Sequence, residues 1–310
     1  MPIELTRSCS NACAFCPYPF TPHEPLLSFR RLRGQLRQAV SLGATLIDFT
    51  GGENLEESCE IKHALAYYKV HSFLGYLIAA SEVASHPENG KSLPVRLDMG
   101  PFGAEGWALL QPHFLGAKLL LTTVDKTVAQ EGALSKAPTH APEYRLQSII
   151  DVGDAGIPLT TGIMIGIGES RESRGKAIRV LAQVASRYGH IRSVLIQAFR
   201  PHPATPMAHH KPASLEEMLE TVALARRYLP LFVRVQINAL DWRGHLPELV
   251  QAGADDLGDL SLKVLSGRGR DPQMELALLL EPLKAKGYVW RIRSMPAGPR
   301  AVAAGVPQTV

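Results

Sequence analysis

The 310-residue chain contains no run of eighteen apolar residues, so no stretch is long and apolar enough to span a bilayer as a helix. It has no block of five or six like charges. Its 33 Lys and Arg stand against 29 Asp and Glu, a formal +4 spread along the chain. A polybasic arm and an acidic tail are excluded, and no nucleic-acid or membrane partner is expected. An anionic ligand is not excluded. Cysteine is sparse, four in all, too few for a disulfide scaffold. No basic stretch followed by an apolar one opens the sequence, so no secretory leader is expected. Charged residues are only 20% of the chain, but 45% are hydrophobic, which suits a globular protein and not a disordered one. A soluble, cytoplasmic protein is expected.

What is present is a regular alternation. Short apolar runs are followed by helix-period segments, at roughly 30 to 40 residues per unit, as parallel βαβ units require. Strands are expected at 3–7, 46–50, 94–97, 118–124, 159–165, 193–199, 232–237 and 255–261. Ser28 opens a helix with Leu32, Leu36, Ala39 and Val40 on one face, and Gly43 ends it. Ser214 and Glu217 form a capping box. Residues 73–80 fit a helix or a strand. No low-complexity linker divides the chain. Roughly eight units favour a closed (β/α)8 TIM-type barrel, a single domain over residues 1–295. The Ala-, Gly- and Pro-rich tail, 296–310, is expected to fray.

Three of the four cysteines crowd into eight residues: Cys9, Cys13 and Cys16, a C-x3-C-x2-C loop after the first strand. Three thiolates on a short loop suit three irons of a cubane cluster and leave the fourth iron open. A zinc site with Cys59 or His23 as fourth ligand is the alternative, in a barrel with a binding role and no catalysis. Cys59 otherwise reads as a small buried thiol.

With Phe15 before the last cysteine and Gly51-Gly52-Glu53 ending the second strand, the chain resembles the radical S-adenosylmethionine (SAM) superfamily. A glycine motif on the fifth strand, Gly162 to Glu169 with Ile165 and Gly166, also matches. The resemblance implies a [4Fe-4S] cluster on the three cysteines. It implies SAM contacts from Gly51, Gly52 and Glu53 at the amino group, and from the Gly162, Ile165, Gly166 and Glu169 segment at the adenosine. Arg145 matches an arginine that pairs with the SAM carboxylate; as a sequence feature alone it is equally a surface helix charge. Asp125 stands where relatives place polar groups near the ribose, or it is a helix N-cap.

A closer resemblance, strongest over residues 142–207, is to the deazaflavin synthase branch, the 7,8-didemethyl-8-hydroxy-5-deazariboflavin synthases of smaller-subunit type. It rests on Ile157 to Gly162, Gly166 to Glu169, Tyr188 to Ile191, Ile196 to Arg200, Ala204 to Met207 and Ala252 to Gly258. Ala198 stands where that family has Asn, and Leu257 where it has Trp. The resemblance implies a lyase that forms a 5′-deoxyadenosyl radical and closes a ring on an adduct of a tyrosine fragment with a ribitylaminouracil, releasing ammonia. An external one-electron donor, such as flavodoxin or ferredoxin, and a partner radical SAM subunit supplying an intermediate are implied too. Candidate substrate-side residues are Gln197, Asn238, Asp255, Asp256 and His202, with His190 a further proton carrier. Radical chemistry further implies an apolar barrel interior with few polar groups at the strand ends. The altered positions leave open a paralogue acting on another small aromatic or ring-forming precursor.

Overall fold

The alternation of short strands with helices along the chain decides the architecture. In the computed structural model, residues 1–260 and 271–291 are described. Seven strands, β1 Pro2–Glu4, β2 Ile47–Thr50, β3 Val95–Asp98, β4 Gly116–Lys118, β5 Leu159–Ile165, β6 Ile191–Ala198 and β7 Arg234–Ile237, form one sheet in chain order. Every neighbouring pair is parallel, so each connection crosses over outside the sheet. The helices are α1 Phe29–Ser41, α2 Cys59–Tyr67, α3 Phe73–Ser85, α4 Gly103–Leu110 and α5 Lys126–Gln130. After them come α6 Pro142–Asp154, α7 Arg171–Tyr188, α8 Leu215–Tyr228, α9 Leu246–Ala252 and α10 Pro272–Ala285. A parallel sheet in chain order with a helix on each crossover is a (β/α) barrel wall. Its eighth strand position is marked by a parallel bridge, Gln236 to Asp256. The expected strand over 255–261 is thus reduced to one bridge among the described residues; Ser261 lies outside them, as does the tail from 296.

One strand face builds the core. Ile3, Ile47, Phe49, Val95, Leu97 and Ala117 are all buried in a single apolar cluster shared with the helices. Their neighbours face the lumen, and there the structure departs from the expected apolar interior. Asp48 and Arg96 lie side by side in the register and form a two-point ion pair at 2.6 and 2.9 Å. Lys118 donates to Asp98 at 2.7 Å. Burial alone would raise the Asp48 carboxyl pKa, but the Arg96 charge and hydrogen bonds hold it below the ordinary value. The polar lumen is tolerable because its charges are paired.

The fourth strand starts earlier and ends earlier than the apolar run predicts. Leu119 N donates to Thr160 O, but Thr122 N donates to Gly162 O. Three residues on this strand therefore face two on β5, a bulge, with Thr122 at φ 67°. The ambiguous segment at 73–80 is helix, because Ser72 Oγ caps it by accepting from Gly75 N. The Ser28 cap and the Ser214–Glu217 capping box form as expected. Among the described residues no helix is long and apolar enough to cross a membrane.

Gly162 faces its β6 partner so closely that a Cβ would lie 2.2 Å from the Leu195 carbonyl oxygen. Backbone cannot yield as a side-chain tip can. Gly162→Ala is expected to cost about 3 kcal/mol, at the upper end of overpacking, and to lower Tm by several degrees in a thermal melt.

His190 is buried, with Nε2 on Ile149 O at 3.0 Å and its ring against Gly153. It is packed at the start of β6, away from the strand ends that carry chemistry, so it does not serve as the proton carrier considered above. Burial pushes its pKa down to about 4, below the roughly 6.5 of a free imidazole. As pH falls, the unfolded state takes up this proton first. The contribution of the neutral ring to stability is full above about pH 6.5 and shrinks toward pH 4, by up to about 3 kcal/mol. Urea titrations across that window should show a shallower stability slope for His190→Gln than for wild type.

Candidate active site

The site grows from the end of β2. A Cβ on Gly52 would lie 1.9 Å from the Ser8 carbonyl oxygen and 2.6 Å from Cys9 Cβ; one on Gly51 would lie 2.1 Å from Met99 Cε. The two glycines let the β2 end run against the start of the cysteine loop. Glu53 is held there by its own backbone: its N–H donates to Cys9 Sγ at 3.3 Å and its carbonyl accepts from Ser10 N at 3.0 Å.

The Glu53 carboxylate gathers donors from three other segments. Arg145 Nη2, on α6, reaches its two oxygens at 3.0 and 2.8 Å. Thr139 Oγ1 donates to it, and Asn11 Nδ2 donates at 3.1 Å. Arg145 is 0% exposed, which removes the surface-charge alternative. Its Nε and Nη1 are buried with no hydrogen-bond partner, and buried guanidinium donors are rarely left so. They suit an anionic head group such as a carboxylate.

The cysteine loop is pinned by backbone bonds: Ala12 N to Lys136 O, Ala14 N to Ala133 O, and Met207 N to Ala14 O. Phe15 packs with Val128, Leu134, Met164 and Met207 beside it. All four cysteines are free thiols. Burial pushes the Cys9, Cys13 and Cys16 thiols up, opposed at Cys9 by the Glu53 N–H. Among the described residues no three His, Cys, Asp or Glu side chains converge closely enough for a single metal ion. Both ring nitrogens of His23 are already engaged, on Ser8 Oγ and Thr21 O. Cys59 is exposed at the start of α2, not buried as expected, and joins no ligand set. The donor set therefore fits a cluster better than zinc.

Below the loop a cavity of about 350 Å³ opens at the strand ends. Phe15, Cys16, Gly51, Glu53 and Gln197 line it, as do Asp98, Lys118, Thr122 and His140. The last four carried no sequence expectation. His140 Nδ1 lies 3.2 Å from Thr122 Oγ1, and Nε2 lies 3.8 Å from Glu53 Oε2. Burial, then the Arg145 charge, holds its pKa well below the ordinary value, so the ring is neutral.

Other expected site residues are placed differently. Asp125 takes the N-cap alternative, accepting from Thr127 N and Val128 N, and ties in Ser170 N at 3.1 Å. Glu169 turns back on its own loop, accepting from Gly166 N, Ile167 N and Arg174 Nε. Ile165 is buried in β5 and its carbonyl accepts from Phe199 N. Gly166, at φ 88°, approaches Ala213. Asp255 pairs with Arg234 and Val235 N, at the N-terminal end of β7. Asp256 bridges Gln236 and Ser193, four residues and roughly 13 Å below Gln197 along β6. Neither carboxylate reaches the cavity, because parallel register sets that bridge low in the barrel. His202 is exposed in a turn, accepting from Ala204 N. Asn238 bonds Asp241, also exposed. Of the altered positions, Ala198 lies on the β6 face opposite Gln197, in the apolar layer, and Leu257 packs against that same core. Neither change lines the cavity.

No protein-family profile matches the chain. It is 34% identical over 266 residues to the 7,8-didemethyl-8-hydroxy-5-deazariboflavin synthase of Methanococcoides burtonii, covering 84% of this chain and 76% of that one. The synthase of Archaeoglobus fulgidus is 35% identical over 262 residues, with 84% and 76% covered. Among solved structures, HydG, a maturase of the [FeFe]-hydrogenase, superposes with TM-score 0.71 at 16% identity, over 90% of this chain and 62% of that one. Methylornithine synthase (PylB) superposes with TM-score 0.60 at 17% identity, over 82% and 70%. These two establish the fold. The extended identity to the synthases, over a chain whose cysteine loop and Gly-Gly-Glu turn meet at one cavity, places it in the 7,8-didemethyl-8-hydroxy-5-deazariboflavin synthase family of radical SAM enzymes.

Proposed function

We propose that this chain is the ring-closing deazaflavin synthase of smaller-subunit type, and that the Glu53–Arg145 pair beside the cysteine loop is its SAM site. Cys9, Cys13 and Cys16 would hold a [4Fe-4S] cluster, and Glu53 and Arg145 the amino-acid end of SAM. When bound, the two cofactors supply a one-electron cleavage that yields a hydrogen-abstracting carbon radical.

The observation that carries this reading is the charge arrangement. Glu53 and Arg145 neutralise each other across 2.8 Å, yet Arg145 keeps two buried donors free. A zwitterionic amino-acid head can enter such a pair without leaving either charge alone: its ammonium meets Glu53 and its carboxylate meets Arg145. Asn11 and Thr139 fix the Glu53 carboxylate in place. Phe15, Met164 and the buried Cys13 would help to keep water from the reacting atoms. Neutral His140 stands at the cavity wall as an uncharged hydrogen-bonding group for the substrate. The substrate is a small molecule; a tyrosine–ribitylaminouracil adduct, handed over by a partner radical SAM subunit, is the proposed one. An external flavodoxin or ferredoxin would supply electrons, and four unbridged cysteines suit a cytoplasmic location.

Anaerobically reconstituted protein should be brown, carry about four irons per chain, cleave SAM under reduction and form fluorescent deazaflavin from the synthetic adduct. SAM cleavage without deazaflavin would favour another ring-forming precursor. Cys13→Ala should lose both the colour and SAM cleavage; retained cleavage would refute the cluster assignment. Arg145→Met should keep the absorbance near 400 nm but raise the KM for SAM about ten- to a hundredfold, the worth of a lost charge-assisted bond.

A further inference from the structure

One charged pair in the cavity is separate from the Glu53–Arg145 pair and from the cysteine loop. Asp98 ends β3 and Lys118 ends β4, and both line the cavity. They differ from the Asp48–Arg96 pair deeper in the lumen. That pair is closed by two hydrogen bonds, with side chains 9% and 12% exposed. Asp98 and Lys118 share a single bond of 2.7 Å and remain 27% and 26% exposed. Two ammonium hydrogens of Lys118 and Oδ1 of Asp98 have no partner among the described residues. Burial would lower the Lys118 pKa, but the Asp98 charge lifts it above the ordinary lysine value, so the ammonium stays charged. Gln197 also lines the cavity. Met99, Leu119, Leu120 and Met164 supply apolar walls.

A donor and an acceptor side by side, in a cavity also lined by an amide and by apolar side chains, match a flat heterocycle whose edge alternates carbonyl and N–H. The pair has no net charge, and Glu53 is already neutralised by Arg145, so the cavity offers no spare positive charge and suits a neutral ring over a phosphate. We propose that Lys118 and Asp98 form the recognition edge for the pyrimidinedione ring of the substrate, Lys118 donating to a ring carbonyl and Asp98 accepting from a ring N–H. Gln197, on the same cavity lining, supplies a further amide to the ring. This assignment rests on the deazaflavin reading above.

The test is equilibrium dialysis of ribitylaminouracil against the reconstituted protein, together with KM for the adduct. Lys118→Met and Asp98→Asn are each expected to weaken uracil binding at least tenfold and to raise KM for the adduct by a similar factor, with Lys118→Arg recovering part of the loss. The double variant Asp98→Asn/Lys118→Met leaves no lone buried charge, and its cluster absorbance and melting temperature report its fold. A well-folded double variant that has lost uracil affinity supports the assignment. If wild type forms deazaflavin and the variants keep wild-type affinity and KM, the assignment falls and the ring-closing reading stands. If wild type itself binds no uracil and forms no deazaflavin while still cleaving SAM, the reading falls and the assignment with it.

Discussion

A carboxylate drawn into contact with a buried guanidinium is costly unless the geometry is tight, and Glu53 with Arg145 is the contact on which the other parts of this site depend. Glu53 is bonded through its backbone to Cys9 and Ser10 and through its side chain to Asn11, Thr139 and Arg145. One residue thereby fixes the β2 end, the cysteine loop, the segment before α6 and α6 itself. Buried ion pairs add little net stability, because desolvation offsets attraction, but separating one is expensive. The pair therefore acts mainly as a register. It sets where the thiols stand relative to the Arg145 Nε and Nη1 donors, which have no partner among the described residues.

The glycines serve that register. Gly51 and Gly52 are usually thought of as leaving room for a ligand, but here the space a Cβ would take is already filled by Ser8, Cys9, Thr6 and Met99. The room is for the protein's own chain. Gly162 is the same case, set against Leu195. Close backbone approach then lets short strands, three or four residues in β1 to β4, still align their C-terminal ends. Those ends deliver Thr50, Asp98 and Lys118 to one cavity. The charges deeper in the lumen are tolerated because adjacent strands in register place each carboxylate beside a cation.

What the sequence made legible was whatever local chemistry determines. The cysteine spacing, the Gly-Gly-Glu turn, the β5 bounds and the Ser28 and Ser214 caps all depend on residues close along the chain. Arg145 was legible as a motif position but not as a buried group, since nothing in its helix signals burial. Asp98 and Lys118 were within reach: each is the lumen-facing residue that ends its strand, and period-2 reading of β3 and β4 would have singled them out. Reading 118–124 as one apolar strand hid Lys118 at its edge. Thr139 and His140 sit in a loop whose course only tertiary contacts decide. Asp255 and Asp256 misled because a pair of carboxylates looks like chemistry, while their position depends on strand register that no local pattern carries.

The carboxylates of the glycine motif show how such a site is supported from behind. Glu169 is almost wholly buried, and it binds Gly166 N, Ile167 N and Arg174. Arg174 in turn holds Glu217, the capping-box residue of α8, at 2.6 Å. Asp125 caps α5 and also holds Ser170, the N-cap of α7. The loop after β5 is therefore braced to α5, α7 and α8 by side chains whose positions in the motif suggest contact with a ligand. Positive-φ glycines at 166 and 168 would otherwise leave that loop floppy. Both acids engage their oxygens with the main chain and with neighbouring side chains, so what they set is the shape of the loop.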